Sequence, residues 1–398
     1  MIKTLDEKKT AIIEAAIRVF ADKGYRASTV ADLAKMAGLG EATIYNHFKN
    51  KEEILFSIGT QYINHFLISN EEHLRGLKDP EEKLRKYIWQ YLWWSSKHKG
   101  FIKVFLFEIQ PHPHYYHSEL YNLIKKVAKV PENILEEGKD AGLFRTTVNP
   151  RLFRSFLLGT INYLFFTVIL FDRPFEVIDD FDDVAGAMVA AVKRDRTTSS
   201  SNSGAMEGKR ERILSAAEEL FCQKMFFETT ISEIAKTANV ADGTIYEYFE
   251  NKDDLLFSLF EKRMKEFSSQ LDESLNPKSP ATKLRHVLWH FLSYAQTNRA
   301  WTKIFFKDLL PNPRFYSSDK YKSMRVHDSK LLGILKQGQE EGIFRGDLKL
   351  HLCTAMIYGS MDHICSPWAM LQREHALLNE LDDLYDLIFT AIKTNTVK

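Results

Sequence analysis

The chain has 398 residues, 44% hydrophobic and 27% charged, with a formal net charge of +1 and a pI near 7.7. That length exceeds what one hydrophobic core usually serves, so two domains are expected. The balanced charge excludes a uniformly basic nucleic-acid binder, and any basic footprint has to be local. Cys222, Cys353 and Cys365 all lie in the second half, which excludes a disulfide framework shared by the two halves and suits a reducing cytoplasm. The opening MIKTLDEKKTAIIEAA has no long apolar run before a small-residue cleavage site, so no signal peptide is expected and the location is read as cytoplasmic.

In chain order, apolar residues recur at helical spacing over 7–23, 29–37, 41–48, 51–75, 80–98, 101–109, 116–140, 150–171 and 179–193. Stops fall between them: Gly24, Gly38 and Gly142 end helices, and Asp79-Pro80 opens the fifth as N-cap and first-turn proline. No alternating, β-branched stretch bounded by turns occurs, so the fold class is all-α. The run FLLGTINYLFFTVILF (156–171) is shorter than the roughly 18 residues of a membrane span and is interrupted by Gly159 and Asn162. It reads as a buried interface helix, with no membrane partner. Arg194 to Met206 (RDRTTSSSNSGAM) has the composition of a flexible linker.

After the linker the pattern begins again. KKTAIIEAAIRVFADKGYRASTVADLAKMAGLGEATIYNHFKNKEEILFSI (8–58) aligns without a gap on KRERILSAAEELFCQKMFFETTISEIAKTANVADGTIYEYFENKDDLLFSL (209–259), with 19 of 51 pairs identical. LRKYIW answers LRHVLW, Pro111-His-Pro113 answers Pro311-Asn-Pro313, and EEGKDAGLFR answers KQGQEEGIFR. The repeat is therefore a whole domain. The expected boundaries are a helical head at 1–50 and a larger helical domain at 51–193, a linker at 194–206, a second head at 207–251 and a second larger helical domain at 252–398.

The second and third helices of each copy are joined by Ala37-Gly38-Leu39-Gly40 and Ala238-Asn239-Val240-Ala241. A tight glycine turn suits a helix-turn-helix, and Asn can also adopt the left-handed backbone. Ala15, Ala16, Phe20, Val30, Leu33, Ala34, Leu39, Ile44 and Phe48 supply a small core. The opposite face of the third helix carries Thr43, Tyr45, Asn46 and His47, with Lys51 following; its twin carries Thr244, Tyr246, Glu247, Tyr248 and Lys252. Hydroxyls, an imidazole and a lysine on one surface suit phosphate oxygens, and the helix start can approach base edges. Thr29 and Thr230 open the second helices, whose positive ends also favour a phosphate.

The strings TIYNHFKNKEEIL and TIYEYFENKDDLL, preceded by the AA..F..KGY segment of the first copy, resemble the signature of the TetR/AcrR family of one-component regulators. The resemblance implies DNA-backbone contacts from Thr43, Tyr45, His47 and Lys51, with Glu41, Ala42 and Asn46 near bases. In the second copy it implies the same for Thr244, Tyr246, Tyr248 and Lys252, with Asp242, Gly243 and Glu247 near bases. The second head counts six Lys/Arg against nine Asp/Glu over 207–252, whereas the first has a basic excess. Weaker binding or a different half-site is therefore expected of it.

Beyond the heads the helices are more aromatic than DNA binding requires. KYIWQYLWWSSKH is apolar around nearly its whole circumference and should be central. For any single aromatic a packed core is the ordinary explanation. Together with the resemblance, and with MIYGSMDHICSPWAM similar to the fatty acyl-CoA-sensing branch, the aromatics imply a hydrophobic effector cavity. The candidate lining is Trp89, Trp93, Phe105, Phe156, Asn162, Tyr163, Phe166, Trp289, Phe305, Tyr358, Asp362 and His363.

His112, His114 and His117 form an H-x-H-x-x-H cluster, but their counterparts are Asn312, Arg314 and Ser317 and the prolines place them in a loop. No metal and no cofactor is expected. Cys222 reads as a small core residue, and Pro131 opposite Leu331 as a kink in one copy only.

The resemblance further implies that the last two helices of each copy pack into a four-helix bundle, making an intramolecular pseudo-dimer; association of two chains stays open. The expected function is a DNA-binding regulator, a repressor released by a hydrophobic small molecule such as an acyl-CoA. Its other partner is double-stranded DNA carrying an imperfect palindromic operator. The alternative is a ligand- or partner-binding protein with one degenerate head. No nucleophile elbow, phosphate loop or repeated acid/base pair points to an enzyme.

Overall fold

The computed structural model describes residues 5–173, 176–193, 209–224, 226–274 and 279–394; the linker expected over 194–206 lies outside them. The first copy comprises α1 (Leu5–Lys23), α2 (Val30–Ala37), α3 (Glu41–Tyr45), α4 (Lys51–Leu74), α5 (Pro80–Lys97) and α6 (Lys99–Val104). After a π turn at Phe105–Ile109 come α7 (Glu119–Asp140), α8 (Pro150–Leu170) and α9 (Phe181–Val192). The second copy repeats this as α10 (Lys209–Gln223), α11 (Ile231–Ala238), α12 (Asp242–Tyr246), α13 (Lys252–Ser274), α14 (Pro280–Thr297) and α15 (Arg299–Ile304). A second π turn at Phe305–Leu309 leads to α16 (Pro313–Tyr316), α17 (Tyr321–Glu340), α18 (Leu350–Met370) and α19 (Leu381–Ile392). Among the described residues there is no strand, only an isolated bridge between Phe344 and Lys393.

Local chemistry places these boundaries. Gly38 closes α2 at φ 66°, and Asn239 takes the same left-handed backbone at φ 54° at the end of α11, as the turn requires. The Asp79 carboxylate accepts from the Glu82 N–H at 2.8 Å with Pro80 in the first turn of α5, and Ser279-Pro280 does the same for α14. Two boundaries differ from the sequence reading. The third helix ends at Tyr45 instead of 48, because the His47 N–H reaches back only to Ile44 O and a tight turn leads to the N-cap Asn50 of α4. The helix expected over 101–109 finishes as a π turn, the Gln110 N–H bonding Phe105 O at 2.8 Å. Helix α7 continues through the buried Pro131 to Asp140.

The chain forms two compact units, residues 1–144 with 164–185, and residues 145–163 with 186–398. The division does not follow the repeat: the first part of α8 and the last part of α9 belong to the second unit. In the first unit, Ile12, Ile13, Ala16, Phe20, Leu33, Ala34, Ile44 and Phe48 form the buried core of the head, with Val30 and Leu39 half-buried at its edge. Tyr87, Ile88, Leu92 and Trp94 of α5 are buried behind it.

In the second unit the two copies meet. A Cβ added at Gly159 of α8 would overlap the backbone carbonyl of Gly359 on α18, and the reverse holds equally. Only glycine permits such an approach. The buried Arg145 pairs with Asp386, and Arg151 with Glu380. Helix α8 is long and apolar enough to cross a membrane by length and composition, and it is mostly buried within the protein.

Candidate nucleic-acid interface

Each head presents the outer side of its short third helix. In α3, Ile44 is buried and Phe48 is buried just beyond it, which turns the intervening side chains outward. Tyr45 is 55% exposed, Glu41, Ala42 and Asn46 are exposed, and Thr43 and His47 are half-buried. In α12 and the turn after it the same alternation buries Ile245 and Phe249 and leaves Tyr246 59% and Tyr248 44% exposed, with Asp242, Gly243 and Glu247 exposed and Thr244 half-buried. Asp242 accepts a hydrogen bond from the Ser232 hydroxyl of α11, so its carboxylate is anchored to the preceding helix.

Two pairs of expected contacts are engaged elsewhere. Lys51 donates to Tyr25 O at 2.5 Å, Ser28 O at 2.6 Å and Arg26 O at 3.4 Å, and lies 4.5 Å from the centre of the Tyr25 ring. All three of its N–H donors are thus used on the turn between α1 and α2. Lys252 repeats the arrangement with Thr229 O at 2.8 Å, Phe227 O at 3.3 Å and the Phe226 ring at 4.6 Å. Partial burial holds the Lys51 pKa below its ordinary value. Thr29 and Thr230 are N-caps in reciprocal capping boxes with Asp32 and Glu233. Those carboxylates occupy the helix ends where a phosphate was expected. The Lys23 and Lys224 ammonium groups, with the capping donors, hold Asp32 and Glu233 down at about 2.

Behind each head, a carboxylate on the π turn grips the chain just after the first helix. Glu108 accepts from the Tyr25 backbone N–H, and Asp308 accepts from Phe226 N at 3.4 Å. Burial raises the Glu108 pKa against the pull of Arg26, Lys51 and Lys103. This joint went unread in the sequence, where the one signal was an acid at the same place in both copies. π turns frequently mark functional positions.

The expected effector residues fall into groups. Trp89 and Trp93 stack on each other at 5.6 Å beside His73, on a half-buried side of α5. Phe105 packs with Phe101 and Tyr115, Phe166 stacks on Phe107 at 5.2 Å, and Phe305 packs with Phe260 and Trp301. Phe156 and Trp289 are buried. In the second unit Tyr163 lies 5.9 Å from Tyr358, which hydrogen-bonds Asp328. Asp362 and His363 lie on α18 in the same unit; Asn162, next to Tyr163, is half-buried. Burial pushes the Asp362 carboxyl up to about 8; burial and then Arg154 hold His363 down at about 3. Nδ1 of His363 has no hydrogen-bond partner.

The strongest polar signal in the first unit lies off the expected residues. Asn70 Oδ1 of α4 and Tyr87 OH, Gln90 Oε1 and Ser95 Oγ of α5 are buried without hydrogen-bond partners. Such atoms are costly unless something else satisfies them. Their residue types do not stand out in sequence, because their isolation depends on which side of α5 faces α4.

Comparison with known proteins agrees with both heads. The model of bacterial regulatory proteins, tetR family, matches residues 12–58 and again 213–259. A tetracyclin repressor-like C-terminal domain matches 77–165, and the C-terminal region of YsiA-like protein matches 319–391. The fatty acid metabolism regulator protein of Bacillus subtilis (strain 168) is 29% identical over 182 residues, 46% of this chain and 94% of that protein. An uncharacterised HTH-type regulator of the same organism, YhgD, is 30% identical over 142 residues, 35% of this chain and 72% of that protein. The crystal structure of the transcriptional regulator FadR from Bacillus subtilis in complex with stearoyl-CoA aligns with a TM-score of 0.43 at 28% identity, covering 45% of this chain and 97% of that one.

Proposed function

The chain belongs to the tetR family of bacterial regulatory proteins, twice over, and from that premise we propose that its two heads read the two halves of one imperfect palindromic operator. It is a DNA-binding transcriptional regulator. The observation carrying this reading is the repeated outward face, with Tyr45 and Tyr246 each more than half exposed on a third helix whose inner side is sealed by Ile44 and Ile245. Dimeric helix-turn-helix proteins place such helices about one DNA turn apart. Here the packing of α8 against α18 at Gly159 and Gly359 supports a pseudo-dimer made within one polypeptide.

The regulator acts in the cytoplasm as a repressor released by a hydrophobic effector, with a fatty acyl-CoA the leading class. The similarity to a fatty acid metabolism regulator over nearly its full length supports this. So do the partnerless polar atoms of Asn70, Tyr87 and Gln90, which offer handles to a polar group on an otherwise apolar ligand. An effector that binds one conformation preferentially shifts the population of heads set for the operator. No step of chemistry is required of it.

Footprinting and gel shifts of the full chain test the reading. Tyr45→Ala and Tyr246→Ala should each weaken operator binding, and a long-chain acyl-CoA should release the wild type. A second reading, a degenerate second head, is favoured by the acidic face of Glu247 and the Ser232-tethered Asp242. It predicts that Tyr246→Ala alone changes neither affinity nor salt dependence.

A further inference from the structure

The sequence places His112 and His114 on either side of Pro113, with Pro111 ahead of both. The structure brings a third donor to them from 60 positions away. His114 Nδ1 lies 2.6 Å from Glu52 Oε1 in the first turn of α4, and one donor atom from each of Glu52, His112 and His114 lies within 4.8 Å of the other two. Glu52 and His112 are half-buried while His114 is exposed, so the cluster has an open side. The His112 ring is seated edge-on against Phe56 at 5.2 Å and Tyr25 at 5.8 Å. His117, the third histidine of the sequence cluster, is exposed at the end of a short 3-10 turn and is not a member of this group.

The second copy answers the same positions with Asp253, Asn312 and Arg314. There the acid is satisfied by the protein alone: Asn312 Nδ2 donates to Asp253 Oδ1 at 3.0 Å, and Arg314 Nη1 to Asp253 Oδ2 at 2.8 Å. One copy thus places a guanidinium on the carboxylate, and the other replaces that cation and its neighbouring amide with two imidazoles.

We propose that Glu52, His112 and His114 form a binding site for a divalent transition-metal ion, zinc in the first instance, which does in the first copy what Arg314 does in the second. Two imidazoles and one carboxylate with an open fourth position are a recurrent zinc donor set. Imidazole donors select late first-row metals over calcium and magnesium. Zinc–nitrogen and zinc–oxygen bonds of about 2.0–2.2 Å require side-chain adjustment of the present spacing, within reach of an exposed histidine and a flexible glutamate. Proline on both sides of His112 limits what the backbone loses on binding. The ion joins the first turn of α4, directly after the head, to the loop beyond the π turn.

The test uses the full chain, stripped with a chelator and titrated with zinc against a chromophoric competitor; cobalt(II) absorption reports the ligand set. The wild type should bind one zinc ion. The double variant His112→Asn with His114→Arg copies the arrangement around which the second copy already folds. It should lose more than about a hundredfold in affinity, beyond the cost of losing a mere supporting partner, with an unchanged circular dichroism spectrum. The reciprocal Asn312→His with Arg314→His should raise the stoichiometry from one to two. A wild type that binds no zinc, or a first double variant that binds it equally well, overturns the assignment.

Discussion

At Lys51 the ammonium is spent on the chain's own carbonyls at 2.5 and 2.6 Å, so the contribution to DNA binding expected of it would run through the shape of the turn it holds. Lys51→Ala is expected to destabilise the protein by about 1–3 kcal/mol, the scale of a hydrogen bond to a charged group. It should weaken binding to all DNA sequences alike with the salt slope unchanged. A slope flatter by about one would instead identify Lys51 as a phosphate ligand. The motif named the residue because spacing is visible in sequence; the three carbonyls it serves are set by how α1 and α2 turn, which spacing does not encode.

Asp362 and His363 make opposite contributions to pH dependence. Unfolded, the aspartate loses its proton near 3.8, while the folded protein retains it to about 8; the stability tied to the neutral carboxyl therefore declines as pH rises across that window. The unfolded imidazole gains a proton below 6.5, which the folded protein refuses down to about 3; that stability declines as pH falls. Asp362→Asn should leave only the histidine trend, so urea denaturation should show stability increasing from pH 4 to 6.5 more steeply than in the wild type. A profile superimposable on the wild type would show that Asp362 ionises normally.

Among the elements, α8 and α18 owe their closest approach to a pair of glycines whose carbonyls stand where side chains would be. Gly159→Ala has no flexible neighbour to displace and is expected to cost about 1–3 kcal/mol or more, as overpacking does. Gly186→Ala on α9 meets nothing within 4 Å and should be neutral or stabilise by up to about 1 kcal/mol through helix propensity. Urea titration of the pair separates contact from propensity. In sequence both are glycines in apolar helices, and only the neighbour distinguishes them. The third helix is shorter than its apolar spacing implies for a related reason: that spacing continues through Phe48, but the backbone tightens after Tyr45 to bring Asn50 into its cap.

For the whole molecule, two heads joined in one chain, as proposed, would bind the operator without subunit association. Native mass spectrometry of the operator complex should find one chain per operator, and the gel-shift isotherm should lack the concentration dependence of an assembling dimer. Two chains per operator would mean that each polypeptide serves one half-site.

By itself the sequence determined the duplication, the helical class, the turns at Gly38 and Asn239 and the outward tyrosines, because periodicity, caps and motifs are local and are written twice. The tertiary structure decided what depends on distant parts of the chain. It brought Glu52 to His112 and His114, set Glu108 against the turn at Tyr25, and left Asn70 Oδ1, Tyr87 OH and Gln90 Oε1 buried without a hydrogen-bond partner. It also assigned the first part of α8 to the unit built mainly from the second copy. A side chain's type can be read from its neighbours along the chain, but its dielectric surroundings and partners are fixed only when helices pack.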